Sequence, residues 1–216
     1  MDYNHLKVCV TGAAGNIAYS FLPLLCSGEV FGPRTTLYLT MLELPEKDKV
    51  LKGMLMELED TAYPLLKKVE SGTEPKEMFK DCDIVIFLGG AARQPGQDRI
   101  ELLYENVMIF KEQGIALQEV GKGTCKCLVV ANPCNTNCYI LRKYCTKLPA
   151  KNFSSLSRLD HNRSIGHLSQ KLEVNPAKVR KMVVWGNHST LQYPDVTFCE
   201  VDGKKVTETL PEEYIQ

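Results

Sequence analysis

Short apolar runs alternate with helical patterns through the first two thirds of this 216-residue chain, and that alternation restricts the fold more than any other feature. Residues 6–10, 37–42, 84–88 and 127–131 are apolar runs that end in turn residues. Between them, residues 16–27, 47–60 and 100–120 carry helical spacing. Strands that are apolar on both faces need cover on both, and crossover helices supply it, so a mostly parallel sheet between two helical layers is predicted. In such sheets ligands bind at the carboxyl ends of the strands. The polar motifs of this sequence lie just after predicted strands.

From about residue 149 the texture changes. A helical pattern over 160–172 leads through Asn175-Pro176 to an apolar strand, 182–185, that reads as buried. Residues 196–200 and 205–207 read as a hairpin turning at Asp202-Gly203. The expected organisation is a doubly wound α/β domain over residues 1–150 and the beginning of a second, α+β domain over 151–216.

Charge and composition exclude several classes of partner. Lys+Arg and Asp+Glu both number 26, so there is no global field to attract nucleic acid or an anionic membrane. Small charged ligands must then be held by local constellations. Met1-Asp2-Tyr3-Asn4-His5 leads almost directly into a strand, without room for a secretory leader, and no run of about 18 apolar residues occurs. The nine cysteines are odd in number, form no C-x-x-C pair and include Cys9 inside an apolar strand. Reduced thiols, no metal and a cytoplasmic location are expected.

Thr11-Gly12-Ala13-Ala14-Gly15-Asn16-Ile17-Ala18 follows the first strand and opens the first helix, a G-x-x-G-x-x-A variant of the dinucleotide fingerprint. Gly12 permits the tight turn, Gly15 lets a pyrophosphate approach the backbone amides, and Ala18 allows close helix packing. Glu43 ends the second strand, where an acidic side chain can accept hydrogen bonds from an adenosine ribose. A 2′-phosphate would meet a like charge there, and at about 4 Å that repulsion costs of order 1 to 4 kcal/mol. NAD is therefore expected rather than NADP.

A second constellation carries the chemistry. Gly89 to Arg99 follows the third apolar run and holds two arginines, Arg93 and Arg99, together with Gly89, Gly90 and Gly96, as expected of a loop that closes on an anion. Asn132-Pro133-Cys134-Asn135-Thr136-Asn137 follows the next run, where Asn132 can bond nicotinamide and substrate. Taken singly, the arginines read better as a solvated loop and Asn135 as a helix cap. Further on, Trp185-Gly186-Asn187-His188-Ser189 puts one histidine at the mouth of a strand. Arg158-Leu159-Asp160-His161-Asn162-Arg163 offers Asp160 to orient that imidazole and Arg163 to hold a carboxylate. Imidazole titrates near neutrality and exchanges protons in both directions, while arginine grips a carboxylate bidentately.

In their joint order these motifs, with Leu55-Met56-Glu57-Leu58 and Gln192-Tyr193-Pro194-Asp195, resemble the malate and lactate dehydrogenase superfamily, in particular its cytosolic malate dehydrogenases. The resemblance runs from about Lys7 to Asp195. It implies a Rossmann-type doubly wound parallel sheet followed by the beginning of a catalytic domain, and NAD-dependent interconversion of malate and oxaloacetate. By similarity His188 is the proton donor and acceptor, Asp160 its partner, Arg163 the clamp on the C1 carboxylate, Arg99 the polariser of the carbonyl and Arg93 the clamp on the distal carboxylate. Cofactor contacts are implied for Gly12, Gly15, Asn16, Ile17, Glu43, Gly89, Asn106, Gln113, Val130 and Asn132. Arg93 lies six residues before Arg99, as the substrate-discriminating position does in malate enzymes, whereas Gln94 lies five before it. A dicarboxylate substrate is expected on that register.

Two positions depart from the family pattern: Gln94 stands where a second basic residue is frequent, and Glu43 where aspartate is usual. The family also continues for roughly another hundred residues, which complete the second domain and part of a dimer interface. Residues 47–60 resemble part of that interface, so a homodimer is implied by the family. The alternative to a working enzyme is a truncated isoform or paralogue that binds dinucleotide without turnover.

Overall fold

The computed structural model describes residues 4–92, 95–189 and 191–211. The chain enters β1 (Asn4–Thr11), turns into α1 (Asn16–Ser27) and returns through β2 (Thr35–Leu42), α2 (Asp48–Asp60) and β3 (Leu66–Gly72). A short helix, α3 (Pro75–Phe79), precedes β4 (Ile84–Phe87). Then come α4 (Arg99–Val120), β5 (Lys126–Val129), α5 (Cys134–Tyr144) and β6 (Phe153–Ser155). The six strands pair in parallel in the order β3-β2-β1-β4-β5-β6. The order reverses between β1 and β4, which creates a crevice at the carboxyl ends of those two strands.

Alternation along β1 shows why both faces of the sheet are covered. Val8 and Val10 pack with Leu22 and Leu25 of α1 and with Leu51 and Leu58 of α2. Cys9, between them in sequence, packs on the other face with Phe87, Phe110, Leu117 and Leu141. Phe87 centres that second layer, meeting Phe79 edge-on at 5.8 Å and Phe110 at 5.9 Å between ring centroids. Each such side chain contributes about 1.5–3 kcal/mol on full burial. Cys82, Cys125, Cys127, Cys134 and Cys145 join the same layer as buried small side chains. At the head of α4, Asp98 forms a capping box, accepting from the Ile100 amide while Glu101 reaches back to the Asp98 amide.

Four elements of this sheet layer lie where the sequence shows no apolar run or clear periodicity. β3 is an edge strand rich in lysine, and only its pairing with β2 defines it. α3 and β6 are five and three residues long. α5 starts at Cys134 with Pro133 at its N-cap, so Asn135 is not the cap; its side-chain amide donates to Ser155 Oγ at 3.1 Å. Because β6 pairs with β5, the division into two compact units falls between Ser155 and Leu156 rather than at 150.

The second unit contains α6 (Arg158–Lys171), β7 (Val179–Arg180), β8 (Val183–Trp185), β9 (Tyr193–Asp195), β10 (Glu200–Val201) and β11 (Lys204–Lys205). β11, β10 and β7 form one antiparallel sheet, and β8 with β9 a separate two-stranded ladder. Leu168, Val179, Met182, Cys199 and Val206 make its core. Asp202 and Gly203, at φ 49° and 80°, form the turn joining β10 to β11, as the Asp-Gly pair predicts. The strand expected as buried at 182–185 is different in kind. Only Met182 reaches the core; Val183 and Val184 are half-buried, and Trp185 is 58% exposed. A short apolar run does not distinguish a central strand from one arm of a hairpin. Among the described residues no helix is long and apolar enough to cross a membrane.

Asp83, just before β4, ties β1, β4 and the α4–β5 turn together. Its carboxylate accepts from the Lys7 amide at 2.9 Å and from the Lys122 ammonium, and its own amide donates to the Lys7 carbonyl at 2.8 Å. Burial by itself raises the Asp83 carboxyl, but the Lys122 ammonium and the Lys7 amide outweigh it and hold the group below its ordinary range. A depressed carboxyl contributes stability above the unfolded-state value, near 4, and that contribution is lost as pH falls through the folded-state value. Asp83→Asn should cost about 1 kcal/mol at pH 7, allowing for the half-exposed lysine. Urea melts of both proteins should show that gap closing below about pH 4.

Candidate functional site

At the crevice, the turns after β1 and β4 touch backbone to backbone. A Cβ on Gly12 would lie 2.4 Å from Gly89 Cα and 2.5 Å from Gly89 N, and Gly12 has φ +65°. The Gly89 amide donates to the Thr11 carbonyl at 3.0 Å. Gly15 is the N-cap of α1, which has no side-chain cap and no acidic residue in its first turn. The first amides of α1 therefore stay available to an anion at the positive end of the helix. Asn16 and Ile17 are exposed there, Ile17 at 65%, an apolar side chain beside the turn.

Glu43 follows β2 and is only 8% exposed. One carboxylate oxygen accepts from the Ala14 amide at 2.9 Å and the other from the Leu44 amide at 3.0 Å. Each oxygen retains a second lone pair, so the group can still accept from a ribose hydroxyl while bracing the glycine turn. A close backbone approach, an uncapped helix start and a braced acidic acceptor fit an adenine dinucleotide, with the pyrophosphate on α1 and the ribose on Glu43.

Further along the same edge, a Cβ on Gly90 would meet Asn106 Oδ1 at 2.7 Å and Ala131 Cβ at 3.0 Å. Asn106 is fully buried and donates to the Leu102 carbonyl at 2.9 Å and the Ala91 carbonyl at 3.4 Å. Among the described residues its Oδ1 has no partner, and neither does the buried Gln113 Oε1. The Val130 and Ala131 amides both donate to the Phe87 carbonyl, at 2.9 and 3.1 Å. Asn132 is exposed, and its peptide bond to Pro133 is cis. Arg93 lies outside the described residues, and Arg99 is placed only as the first residue of α4.

Asn137 was not anticipated. Buried in the first turn of α5, it donates to the Ala131 carbonyl at 2.9 Å and holds the end of β5, while its Oδ1 lacks a partner among the described residues. The available signal was its place in the polar run Asn135-Thr136-Asn137 after an apolar strand.

In the second unit, a single carboxylate organises an imidazole and a guanidinium. Asp160 sits in the first turn of α6 with its side chain 1% exposed. Asp160 Oδ2 lies 2.6 Å from His188 Nδ1, and Oδ1 accepts from Arg163 Nη1 at 3.3 Å. His188 stands in the loop after β8, its side chain 38% exposed. A carboxylate at Nδ1 fixes the proton there in the neutral ring and stabilises the imidazolium when Nε2 gains one. Twenty-eight residues separate the two groups in sequence. The arrangement is that of an acid–base pair with an arginine one helical turn away.

The profile of the lactate/malate dehydrogenase NAD-binding domain matches residues 6–154. The chain belongs to the lactate/malate dehydrogenase family. The family's α/β C-terminal domain matches residues 157–215. Among solved structures, malate dehydrogenase from Naegleria fowleri is 37% identical, with a TM-score of 0.92, over 94% of this chain and 63% of its own. An apo variant of lactate dehydrogenase from Trichomonas vaginalis is 39% identical, with a TM-score of 0.90, over 100% of this chain and 65% of its own. The same enzyme in complex with NADH and oxamate is 39% identical, also at 0.90, over 97% and 64%. The chain thus spans a little under two thirds of the length of these relatives. Its first unit is the family's NAD-binding domain, and NAD is the cofactor that the Gly12, Gly15 and Glu43 arrangement fits.

Gly12→Ala tests the crevice directly. The added methyl meets Gly89 backbone in a left-handed conformation, so a loss of about 1–3 kcal/mol is expected in a thermal melt. NADH fluorescence titration should show binding lost along with the turn geometry.

Proposed function

We propose that this chain carries the machinery of an NAD-dependent malate dehydrogenase, interconverting malate and oxaloacetate. The Asp160–His188 pair carries this proposal, since removing a hydroxyl proton as a hydride leaves the neighbouring carbon requires a positioned base. Bound NAD supplies the hydride acceptor, and NADH the donor. His188 takes the C2 hydroxyl proton during oxidation and returns it to the carbonyl oxygen during reduction. Asp160 balances the imidazolium in between. Arg163 has one nitrogen on Asp160 and keeps further guanidinium donors for the C1 carboxylate. Arg99 polarises the reacting carbonyl, and Arg93 grips the distal carboxylate.

Substrate choice within the family rests on Arg93, because the relatives include both malate and lactate dehydrogenases. Arginine six residues before Arg99 supplies the cation that a dicarboxylate needs at its far end. Glu43 favours NAD over its 2′-phosphorylated analogue by like-charge repulsion. A cytoplasmic homodimer is part of the same proposal. A second reading, a chain that binds dinucleotide without turnover, is favoured by the glycine turn and Glu43 lying wholly within the first unit, which matches the NAD-binding domain over residues 6–154.

Oxaloacetate reduction and NADH titration on the same preparation separate the two, because binding without turnover sinks the enzyme. His188→Asn should lower turnover about 10²–10⁴-fold while leaving NADH affinity nearly unchanged. Retained turnover would remove His188 from its role. Arg93→Gln should move the ratio of kcat/KM for oxaloacetate over pyruvate toward pyruvate by at least about tenfold. An unchanged ratio would overturn the loop register.

A further inference from the structure

We propose that Asp195 is the positioning residue for His188: by clasping Trp185 across the β8–β9 ladder it fixes the hairpin whose loop presents the imidazole to Asp160. Its effect on turnover rests on the acid–base role proposed above for His188. The two arms of the hairpin are three residues each and pair as Val183–Asp195, Val184–Pro194 and Trp185–Tyr193. Two-stranded ladders of this size are marginal in water, and Pro194 brings no amide donor to this one. Gly186, at φ +95°, turns the chain out of β8 into the loop that holds His188. The Leu191 amide bonds Ser189 Oγ and the Gln192 amide bonds the Ser189 carbonyl, each at 3.2 Å, bonds that close the side of the loop beyond His188.

Asp195 fastens the base of that loop from the other side. Its Oδ2 accepts from the Trp185 indole N–H at 2.9 Å, and its Oδ1 from the Thr197 amide at 2.9 Å. Bonds from neutral donors to an ionised carboxylate are stronger than neutral pairs. Consistently, the Thr197 side chain, then the Trp185 indole and the Thr197 amide, hold the Asp195 carboxyl below its ordinary range. The bond to Trp185 runs diagonally, since Asp195 lies opposite Val183, so it specifies the register of the ladder as well as its existence. Trp185 lies three residues before His188, and the imidazole must stay 2.6 Å from a carboxylate carried on α6. Misplacing such a group by about 1 Å costs on the order of 10²-fold in rate.

The test compares the 216-residue chain with Asp195→Ala, Asp195→Asn and Trp185→Phe. The readouts are kcat and KM for reduction of oxaloacetate and pyruvate, NADH affinity by fluorescence, the thermal midpoint, and the exchange-protected His188 Nδ1–H signal in ¹⁵N NMR. The NMR signal is assigned by its loss in His188→Asn. Asp195→Ala should lower kcat about 10²-fold, keep NADH affinity within about twofold and abolish the protected signal. Asp195→Asn, which retains one acceptor oxygen, should lose less. Trp185→Phe should also lower kcat, and adding it to Asp195→Ala should cost nothing more, because both break the same bond. A kcat for Asp195→Ala within about threefold of the parent, or losses that multiply in the double variant, overturns the role. Should Asp195→Ala fail to fold, Trp185→Phe decides by the same readouts. Should the parent reduce neither substrate, the proposed function fails, and the NMR signal alone decides: retained in Asp195→Ala it overturns the positioning role, and lost it supports it.

Discussion

The backbone contact between Gly12 and Gly89 is the constraint on which the first unit depends. β1 and β4 are neighbours in the sheet but are separated in sequence by three crossovers, and their turns meet at distances that no side chain tolerates. That approach sets the crevice between the two halves of the sheet. It also places the uncapped start of α1 beside the ends of two strands. Glu43 extends the constraint by bonding Ala14, so the tip of β2 braces the same turn. A ligand there meets donors and acceptors already fixed by the fold, so less ordering is left to be done on binding.

The second unit is organised around a charge rather than a glycine contact. Asp160 is almost completely buried, and a buried carboxylate without partners would be strongly disfavoured. His188 on one oxygen and Arg163 on the other meet that requirement. The same two bonds hold the imidazole and the guanidinium in place, so satisfying one buried group orders two side chains. The small hairpin ladder carrying His188 has few bonds of its own, which is why a second carboxylate, Asp195, matters there.

Legibility in the sequence followed the strength of the local signals. β1, β2, β4, β5 and α1, α2 and α4 were readable because burial on both faces forces apolar runs and amphipathic helices leave their period. β3, β6 and α3 were not, being edge or very short elements defined by their neighbours. The run 182–185 misled because its apolar residues serve a half-exposed hairpin, a distinction set by what packs above it. Gly12, Gly15 and Glu43 stood out because a turn, a phosphate site and a ribose site each demand a particular residue type. Asn137 and Asp195 did not, since their importance lies in which carbonyl or indole happens to be within 2.9 Å.

The sequence by itself determined the α/β class, the alternation of β1, α1, β2, α2, β4, α4 and β5, and the residue types able to do acid–base and carboxylate chemistry. Those properties are local: periodicity, turn composition and side-chain functional groups are written residue by residue. Tertiary structure alone decided that β6 closes the first unit, that Glu43 bonds the glycine turn and that His188 and Asp160, 28 residues apart, share a 2.6 Å hydrogen bond. Such distances depend on how helices and hairpins pack, and packing is a property of the whole chain rather than of any segment.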